Sequence, residues 1–176
     1  MKITFTKLQQ KHFPLLLRWL ESPHVKEWWD QTIQYTNELI NKKYISYTQE
    51  YKILDNIKKP IHAFIIKVDN KPIGYIQYYD KYDFPPEQGY DVKELPESLA
   101  AIDFYIGEKS YLGRGIGTKA LRFFLKKYVF KSFNTCFVDP NTTNKTAIHT
   151  YEKAGFITTK EIKELAITWM VCDIRK

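Results

Sequence analysis

LGRGIG at residues 112–117 and NKTAIHTYEKAGF at residues 144–156 carry most of the information about the architecture of this 176-residue chain. The first run lies between a strand-like segment, Ala100–Ile106, and an apolar pattern at helical spacing over Thr118–Phe130. Its glycines allow a tight turn, and the N-terminus of a helix offers unpaired N–H groups that suit phosphate. The spacing GxGxG matches neither the GxGxxG loop of dinucleotide-binding folds nor a GKS or GKT phosphate loop. The run therefore predicts either a phosphate-binding loop or a plain glycine-rich start of a helix.

The second run is typical of a short helix with defined ends. Asn144 is a favourable residue to open the helix, and Gly155 fits the position just after its last turn. Tyr151 follows Asn144 by seven residues, or two helical turns, so both side chains project from one face. From this spacing alone, Tyr151 is either a functional residue on that face or an ordinary core tyrosine.

The rest of the pattern predicts a mixed α/β fold in a single domain over residues 1–176. Predicted strands are Ile3–Phe5, Ala63–Val68, Pro72–Tyr79, Ala100–Ile106, Thr135–Val138, Phe156–Ile162 and Ala166–Asp173. Predicted helices are Lys11–Leu20, Thr32–Lys43, Thr118–Phe130 and Thr146–Lys153. The segment Asp80–Leu99 contains three prolines and a glycine, and it predicts a long loop with one short turn.

The composition fits a folded domain, because 44% of the residues are apolar and 16% are aromatic. No run approaches the roughly 18 consecutive apolar residues of a membrane span, and the first residues lack the apolar core of a signal peptide. Cys136 and Cys172 are too few for a disulfide framework, and no CxxC pair or histidine spacing suits a metal. We expect a soluble, reduced, cytoplasmic protein that binds neither a metal nor a membrane.

The charge is unevenly distributed along the chain. There are 27 Lys+Arg and 20 Asp+Glu, a formal net charge of +7. Residues 80–103 hold seven acidic and two basic residues, a local charge of −5, so the remainder carries +12. This pattern fits an anion bound to the basic part and a cation bound to the acidic part, or two solvated surfaces. A nucleic-acid-binding module also fits a basic, aromatic-rich chain, but no RNP-type motif, zinc site or basic helix run is present.

Taken together, the two runs resemble the GNAT superfamily of acyl-CoA-dependent N-acyltransferases, LGRGIG its pyrophosphate signature and NKTAIHTYEKAGF its second cofactor motif. A closer resemblance, to aminoglycoside 6′-N-acetyltransferases, covers most of the chain through HVKEWW, KPIGYIQYYD, AAIDFYIGEKSYLGRGIGTKAL and VDPNTTNKTAIHTYEKAGF. The superfamily usually has Gln or Arg where this chain has Leu112, and the aminoglycoside enzymes share the leucine. The resemblance implies a single α/β (α+β) GNAT domain with a central mixed, largely antiparallel twisted sheet flanked by helices.

The same resemblance implies direct transfer of an acetyl group from acetyl-CoA to an amine of a small cationic molecule, with both substrates bound together. The implied amine is the 6′ amine of an aminoglycoside. The implied cofactor-binding residues are Phe104, Tyr105, Ile106, Leu112, Gly113, Arg114, Gly115, Ile116, Gly117, Thr118, Asn144, Ala147, Tyr151 and Lys153. Among them, the backbone N–H groups of Phe104–Ile106 would polarise the thioester carbonyl. Tyr151 would donate a proton or a hydrogen bond to the departing thiolate.

The acceptor amine needs a carboxylate that positions it and accepts its proton. Asp103, on the strand beside the implied thioester site, is the first candidate, and Asp139, just after the next strand, is the second. Either could instead be a surface charge, or, for Asp139, a turn residue before Pro140. The predicted loop over Asp80–Leu99 is rich in carboxylates, and we call it the acidic loop. Its carboxylates and flat tryptophan faces suit a polycationic sugar. The candidate substrate-binding residues are Trp28, Trp29, Tyr79, Asp80, Asp83, Glu87, Asp91, Asp103 and Asp139.

Two alternatives stay open at this point. The first is a related acyltransferase for another amine, such as a siderophore precursor, a polyamine or a peptide, because the acceptor half is the least constrained. The second is a nucleic-acid-binding module, and we expect no nucleic-acid partner because the motifs for one are missing. For the assembly we expect a monomer or a weak homodimer.

Overall fold

A seven-stranded sheet is the largest element of this computed structural model, which describes residues 1–86 and 89–174. The strands are β1 (Ile3–Lys7), β2 (Tyr51–Leu54), β3 (Ile57–Pro60), β4 (His62–Val68), β5 (Lys71–Asp80), β6 (Leu99–Ile106), β7 (Thr135–Val138), β8 (Ile157–Ile162) and β9 (Ile167–Asp173). The large sheet has the order β1-β4-β5-β6-β7-β9-β8. β1 is antiparallel to β4, and β9 is antiparallel to β7 and β8, whereas β6 and β7 run parallel. The predicted mixed, largely antiparallel sheet is confirmed.

The helices are α1 (Phe13–Leu20), α2 (Pro23–Lys26), α3 (Asn37–Tyr44), α4 (Ile116–Lys127) and α5 (Lys145–Ala154). α5 extends one residue beyond the predicted Thr146–Lys153 at each end, and the residues that flank it, Asn144 and Gly155, are as predicted. The side-chain oxygen of Asn144 accepts a hydrogen bond from the Ala147 N–H at 3.0 Å, which caps the N-terminus. Gly155 ends the helix in the left-handed conformation, with φ of 106°.

The predicted start of α3 is wrong. We expected a helix from Thr32, but α3 begins at Asn37. The Thr36 side chain accepts a hydrogen bond from the Leu39 N–H at 3.2 Å, so Thr36 is the N-cap and the preceding residues are not helical.

Both predicted ends of α4 are also wrong. The helix begins at Ile116 rather than Thr118, because Gly115 turns the chain in the left-handed conformation and acts as the N-cap. It ends at Lys127, and a 3₁₀ turn follows over Val129–Lys131. The helix therefore starts inside the glycine-rich run.

The hairpin of β2 and β3 is absent from the sequence prediction. Tyr51 pairs with Pro60 and Leu54 with Ile57. Asp55 and Asn56 form the tight turn with φ of 49° and 63°. Lysines and a proline interrupt the apolar alternation of these short strands, so the sequence pattern is weak.

The described chain divides into two compact units. The first consists of Met1–Gln77 and Asp103–Arg114, and the second of Tyr78–Ile102 and Gly115–Lys176. β5 and β6 each contribute residues to both units. The single domain over residues 1–176 stays a prediction. Among the residues that the structure describes, no helix has the length and apolar character needed to cross a membrane.

An aromatic cluster lies in the core of the first unit. The rings of Tyr75 and Tyr105 stack with their centroids 5.6 Å apart, and Trp29 meets Tyr105 edge-on at 5.0 Å. β5 approaches β6 closely beside this cluster, since a Cβ built on Gly74 would lie 2.3 Å from the Tyr105 carbonyl oxygen. Glycine is therefore required at position 74 by space.

The second unit has its own core, which also anchors the acidic loop. The buried core residues are Leu99, Phe137, Ile167 and Trp169. Three apolar residues of the predicted loop, Tyr90, Val92 and Leu95, pack against them. The described parts of the loop are thus fixed by apolar contacts, although the loop has little regular secondary structure.

Candidate active site

Asp103 lies on β6, and its carboxylate is held by a glutamine of the neighbouring strand. Gln77 donates from Nε2 to Asp103 Oδ2 at 2.8 Å, and the Tyr75 hydroxyl donates to Gln77 Oε1 at 2.5 Å. Tyr75 is fully buried and Gln77 is 8% exposed, whereas Asp103 is half-buried. The three side chains form a hydrogen-bonded chain from the Tyr75 hydroxyl through the Gln77 amide to the Asp103 carboxylate.

Tyr75, the first member of this hydrogen-bonded chain, stays protonated at neutral pH. Burial raises the pKa of Tyr75 well above its ordinary value, and the neighbouring Tyr47, Tyr105 and Asp103 raise it further. At neutral pH its hydroxyl is therefore uncharged and available as a donor to Gln77.

The two tryptophans have different environments. Trp28 is 41% exposed, whereas Trp29 is half-buried and meets Tyr75 and Tyr105 edge-on, with centroids 6.1 and 5.0 Å away. Trp29 thus belongs to the aromatic cluster next to the strand that carries Asp103. Tyr105 contributes a buried ring to the same cluster, while Phe104, the next residue toward Asp103, is half-buried.

The glycine loop, residues 112–117, contains two glycines in the left-handed conformation with open space beside them. Gly113 and Gly115 have φ of 71° and 68°, and a Cβ at either position would meet no atom within 4 Å. The left-handed conformation, which side chains disfavour, and the open space together leave the backbone accessible. α4 begins directly after Gly115, with Ile116, Gly117 and Thr118 in its first turn. The first N–H groups of a helix have no intrahelical acceptor and attract anions.

The side chains within the loop are largely exposed. Leu112 is 42% exposed, so the leucine that replaces the usual Gln or Arg is not needed for core packing. The guanidinium of Arg114 lies 6.0 Å from the centroid of the Tyr111 ring. This contact places a positive charge beside the glycines.

The second motif is built on α5. Asn144 and Ala147 are joined by the cap hydrogen bond described above. Tyr151 is 7% exposed, and its ring meets Phe156 edge-on with centroids 5.4 Å apart. Lys153 is exposed, and its carbonyl accepts a hydrogen bond from a guanidinium of α4. The helix therefore fixes the ring of Tyr151 by packing.

Asp139 makes contacts with a buried lysine and a tyrosine of the acidic loop. The Tyr90 hydroxyl donates to Asp139 Oδ2, and Lys81 Nζ lies 3.9 Å from the same oxygen. Lys81 is only 5% exposed, and its ammonium lies 5.1 Å from the centroid of the Phe137 ring and 5.6 Å from that of Tyr90. One oxygen of Asp139 thus binds the start and the middle of the loop to the end of β7.

The carboxylates of the acidic loop have separate local roles. Asp80 accepts a hydrogen bond from the Tyr82 N–H at 2.9 Å and caps a 3₁₀ turn over Lys81–Asp83. This is the short turn that the sequence predicted. Tyr79, just before it, is half-buried and packs edge-on against Phe84 at 4.9 Å. Glu87 lies outside the described residues.

Asp91 is exposed and bound to its neighbour. It accepts a hydrogen bond from the Lys93 N–H at 2.9 Å, and its other oxygen lies 3.1 Å from Lys93 Nζ. These hydrogen bonds, first from the backbone and then from the side chain of Lys93, lower the pKa of Asp91. The carboxylate is therefore charged at neutral pH.

Replacing Lys81 with Met tests whether this lysine anchors the acidic loop. Met keeps the apolar stem against Phe137 and Tyr90 but removes the charge beside Asp139. We expect unfolding by urea to show a loss of about 2 kcal/mol, less than the 3–5 kcal/mol typical of fully buried pairs, because Asp139 is partly exposed. We also expect faster proteolysis within residues 80–98.

The matched control for this variant is Lys93→Met in the same loop. The pair of Lys93 with Asp91 is 88% and 61% exposed, and such pairs contribute little in water. Equal stability of the Lys81→Met and Lys93→Met proteins would show that Lys81 does not anchor the loop.

Four side chains that surround the candidate carboxylates Asp103 and Asp139 are not among the predicted site residues: Tyr75, Gln77, Lys81 and Tyr90. Tyr75 and Gln77 are two residues apart, so they lie on one face of β5. The available signal for their role was a glutamine within an otherwise apolar strand. Lys81 and Tyr90 gave no such signal. Their partner, Asp139, lies 49 residues after Tyr90, and only the fold brings them together. Over residues 1–86 and 89–174, His, Cys, Asp and Glu form no group of three that could hold a metal ion.

The fold agrees with a comparison to known families. The sequence matches the acetyltransferase (GNAT) domain over residues 9–164, and the chain belongs to this family. The resemblance inferred from the two sequence runs is confirmed, and so is the predicted fold.

Two relatives and one solved structure are similar to this chain over most of its length. Aminoglycoside N(6′)-acetyltransferase type 1 of Klebsiella pneumoniae is 27% identical over 156 residues, which cover 88% of this chain and 73% of the relative. The protein of the same name from Serratia marcescens matches equally well. Among solved structures, AAC(6′)-Ib in complex with paromomycin and acetyl-CoA aligns with a TM-score of 0.82 and 25% identity, covering 99% of this chain and 95% of that one.

Proposed function

We propose that this acetyltransferase transfers the acetyl group of acetyl-CoA to a primary amine of a cationic small molecule, the 6′ amine of an aminoglycoside. The observation that carries the proposal is the pair of left-handed glycines, 113 and 115, directly before the first turn of α4. The relatives named above support the donor and the acceptor, because they are aminoglycoside acetyltransferases and one was solved with acetyl-CoA.

The chain offers backbone donors of the kind that a pyrophosphate needs. Positions 113 and 115 have open space where a side chain would be, and the first turn of α4 follows at once. We assign pyrophosphate binding to the backbone N–H groups of Gly113 through Gly117, together with Thr118. Arg114 adds a positive charge beside them. From the second motif we assign Asn144, Ala147 and Lys153 to the remainder of the cofactor.

Asp103 is assigned to the acceptor amine. An alkylammonium with a pKa of about 10 is mostly protonated at pH 7, so it must lose a proton before its nitrogen can attack. The Asp103 carboxylate attracts the ammonium and accepts its proton, directly or through water. Asp139 remains the second candidate, and its bonds to Tyr90 and Lys81 favour a role in binding over a role as a base.

When bound, acetyl-CoA supplies the acetyl thioester, whose C–S bond breaks as the new C–N bond forms. The backbone N–H groups of Phe104, Tyr105 and Ile106 are assigned to the carbonyl oxygen, where negative charge develops. Tyr151 is assigned to the sulfur as a proton or hydrogen-bond donor. A phenol of ordinary pKa near 10 would give its proton to a thiolate of pKa near 8.5 at a cost of about 2 kcal/mol. A stabilising hydrogen bond is therefore the larger part of its role.

The acceptor selectivity is assigned to negative charge and flat aromatic surface. Asp80, Asp83, Asp91 and, from its sequence position, Glu87 give the loop the charge that a polycationic sugar requires. Trp28 offers an exposed ring face, and Trp29 and Tyr79 offer partly exposed ones. With this site the protein acts in the cytoplasm as a monomer or weak homodimer, without nucleic acid or membrane.

The test is release of free thiol from acetyl-CoA with a panel of amines: kanamycin, tobramycin, spermidine, hydroxylysine and a buffer blank. We expect fast release with the two aminoglycosides only, and a product acetylated at the 6′ amine by mass spectrometry and NMR. Release with only spermidine or hydroxylysine would support acetyl transfer but show that the acceptor is not an aminoglycoside. No release and no binding of acetyl-CoA would refute the proposal.

Tyr151→Phe tests the donor to the sulfur. Because the ring and its contact with Phe156 are kept and only a hydrogen bond to the thiolate is lost, we expect turnover to fall about 10- to 100-fold while the dissociation constant of acetyl-CoA stays nearly unchanged. Tyr51→Phe, in the β2–β3 hairpin, is the control and should have normal turnover. An unchanged rate in Tyr151→Phe would reduce Tyr151 to a packing residue.

A further inference from the structure

We propose that Gln77 and Tyr75 are positioning residues for Asp103: the Tyr75 hydroxyl fixes the Gln77 amide, and the amide holds one carboxylate oxygen of Asp103. The inference rests on the proposed function, in which Asp103 receives the acceptor amine. It extends that function to two side chains that touch neither substrate in the proposed scheme.

The first step of the argument concerns the orientation of the Gln77 amide. The Gln77 Nε2 lies 2.8 Å from Asp103 Oδ2, and its Oε1 lies 2.5 Å from the Tyr75 hydroxyl. A flipped amide would place its oxygen against the carboxylate, where two acceptors face each other without a proton. The only orientation that satisfies both ends is the one in which Tyr75 donates to the amide and the amide donates to Asp103.

The second step concerns the rigidity of the chain. Tyr75 is completely buried, stacks on Tyr105 at 5.6 Å and meets Tyr44 edge-on at 5.8 Å, so its ring has no room to rotate away. Gln77 is 8% exposed and lies two residues further on the same face of β5. A buried amide that lost either bond would leave a polar atom unsatisfied, at a cost in stability. The chain therefore fixes the rotamer of Asp103 from the protein interior.

The third step concerns charge. A hydrogen bond from a neutral amide favours the charged form of a carboxylate, so Gln77 helps to keep Asp103 ionised and able to attract an ammonium. Burial raises the pKa values of Tyr75 and Tyr105 on this face well above their ordinary range. Both tyrosines thus remain neutral, and neither competes with Asp103 for a proton at neutral pH. The amide and the hydroxyl orient Asp103 without exchanging protons with it.

The principal experiment compares Gln77→Met with the wild-type enzyme. Met has nearly the same length and volume as Gln but no donor. We expect kcat/KM for the amine to fall about 10- to 100-fold, the range for a lost hydrogen bond to a charged group. The KM of acetyl-CoA should stay constant. The acid limb of the pH profile should move to higher pH, because the carboxylate loses a bond that favours its charged form.

Tyr75→Phe tests the outer member of the chain and is the safer variant for folding, because only the hydroxyl is lost. We expect a loss of about 3- to 10-fold in kcat/KM, smaller than for Gln77→Met, since the amide can still reach Asp103 but is no longer fixed. Tyr44→Phe is the matched control: it removes a buried hydroxyl from a ring that contacts Tyr75 but lies outside the chain. The Tyr44→Phe enzyme should retain the wild-type kcat/KM.

The double variant Tyr75→Phe/Gln77→Met separates positioning from general destabilisation. If Tyr75 acts through Gln77, the double variant loses no more than Gln77→Met alone. A further loss equal to that of Tyr75→Phe would overturn the role of Tyr75. In an Asp103→Asn background, Gln77→Met should likewise cost nothing more, and an additive loss there would overturn the role of Gln77.

A titration without substrate distinguishes this inference from the proposed function. The ¹³C NMR signal of the Asp103 carboxyl, assigned by its loss in Asp103→Asn, should titrate at higher pH in Gln77→Met than in the wild type. An unchanged titration and an unchanged kcat/KM would refute the positioning role even if the enzyme acetylates every amine in the panel. A shifted titration of Asp103 in a protein that acetylates none of the amines would support the positioning role and refute the proposed function.

Discussion

Asp103→Asn is expected to lower kcat/KM for the acceptor amine about 100- to 10,000-fold, the range for the loss of an acid–base group. The asparagine keeps the shape of the side chain but can neither attract the ammonium nor accept its proton. The loss should be greatest at low pH, where the largest fraction of the amine is protonated. The measurement is kcat/KM for kanamycin from pH 5.5 to 9.

Asp69→Asn is the matched control for this substitution. Asp69 lies in the turn between β4 and β5 with a side chain 62% exposed, and it accepts a hydrogen bond from the Lys2 N–H at 2.7 Å. Asparagine preserves that acceptor, so the control should retain full activity. If Asp103→Asn keeps the wild-type pH profile and loses only affinity, Asp103 binds the amine and another group accepts the proton.

Gly74→Ala, which adds one methyl group to β5, is expected to destabilise the protein strongly. The new Cβ would lie 2.3 Å from the Tyr105 carbonyl oxygen and 3.1 Å from the Ile106 Cα, both of them backbone atoms that cannot rotate away. The two strands would have to separate where they carry Gln77 and Asp103. We expect a loss of about 3 kcal/mol in the free energy of unfolding, at the upper end for overpacking, and a reduced kcat.

Gly89→Ala separates this overlap from the general effect of losing a glycine. Gly89 has φ of 72°, and a Cβ there would meet no atom within 4 Å. Its replacement introduces backbone strain of about 1 kcal/mol without a clash. Urea unfolding of both variants checks the prediction, and equal losses would show that the close approach at Gly74 is relieved at little cost.

Much of the architecture is encoded locally and was predictable. The left-handed glycines at 113 and 115, the cap at Asn144 and the stop at Gly155 depend on the conformational preferences of single residues and their immediate neighbours. The predicted elements were wrong where two local signals disagree or where the apolar pattern is weak. Thr36 caps α3 four residues after the start that the apolar spacing indicated. The β2–β3 hairpin has strands too rich in lysine to show an apolar alternation.

The candidate site was only partly predictable. Asp103, Tyr151 and the glycine loop were chosen from motifs whose residues are close in sequence. The partners of the carboxylates are distant in sequence: Gln77 is 26 residues before Asp103, and Tyr90 is 49 residues before Asp139. The sequence ranked Asp103 before Asp139 only from its position on the strand beside the implied thioester site. The structure distinguishes them, because one accepts from a neutral amide and the other lies beside a buried ammonium.

The sequence by itself determined the order of the strands and helices apart from α2 and the β2–β3 hairpin, the glycine-rich turn before α4 and the acetyltransferase family. The elements and the turn follow from side-chain periodicity and from backbone conformations that only glycine or a capping residue adopts readily. The family follows from the resemblance of the two sequence runs to known acetyltransferases. Only the tertiary structure decided that Tyr75 and Gln77 hold Asp103 and that Lys81 is buried beside Asp139. Those contacts join residues of different elements, and their burial and hydrogen bonds exist only once the strands have paired and the loop has packed on its core.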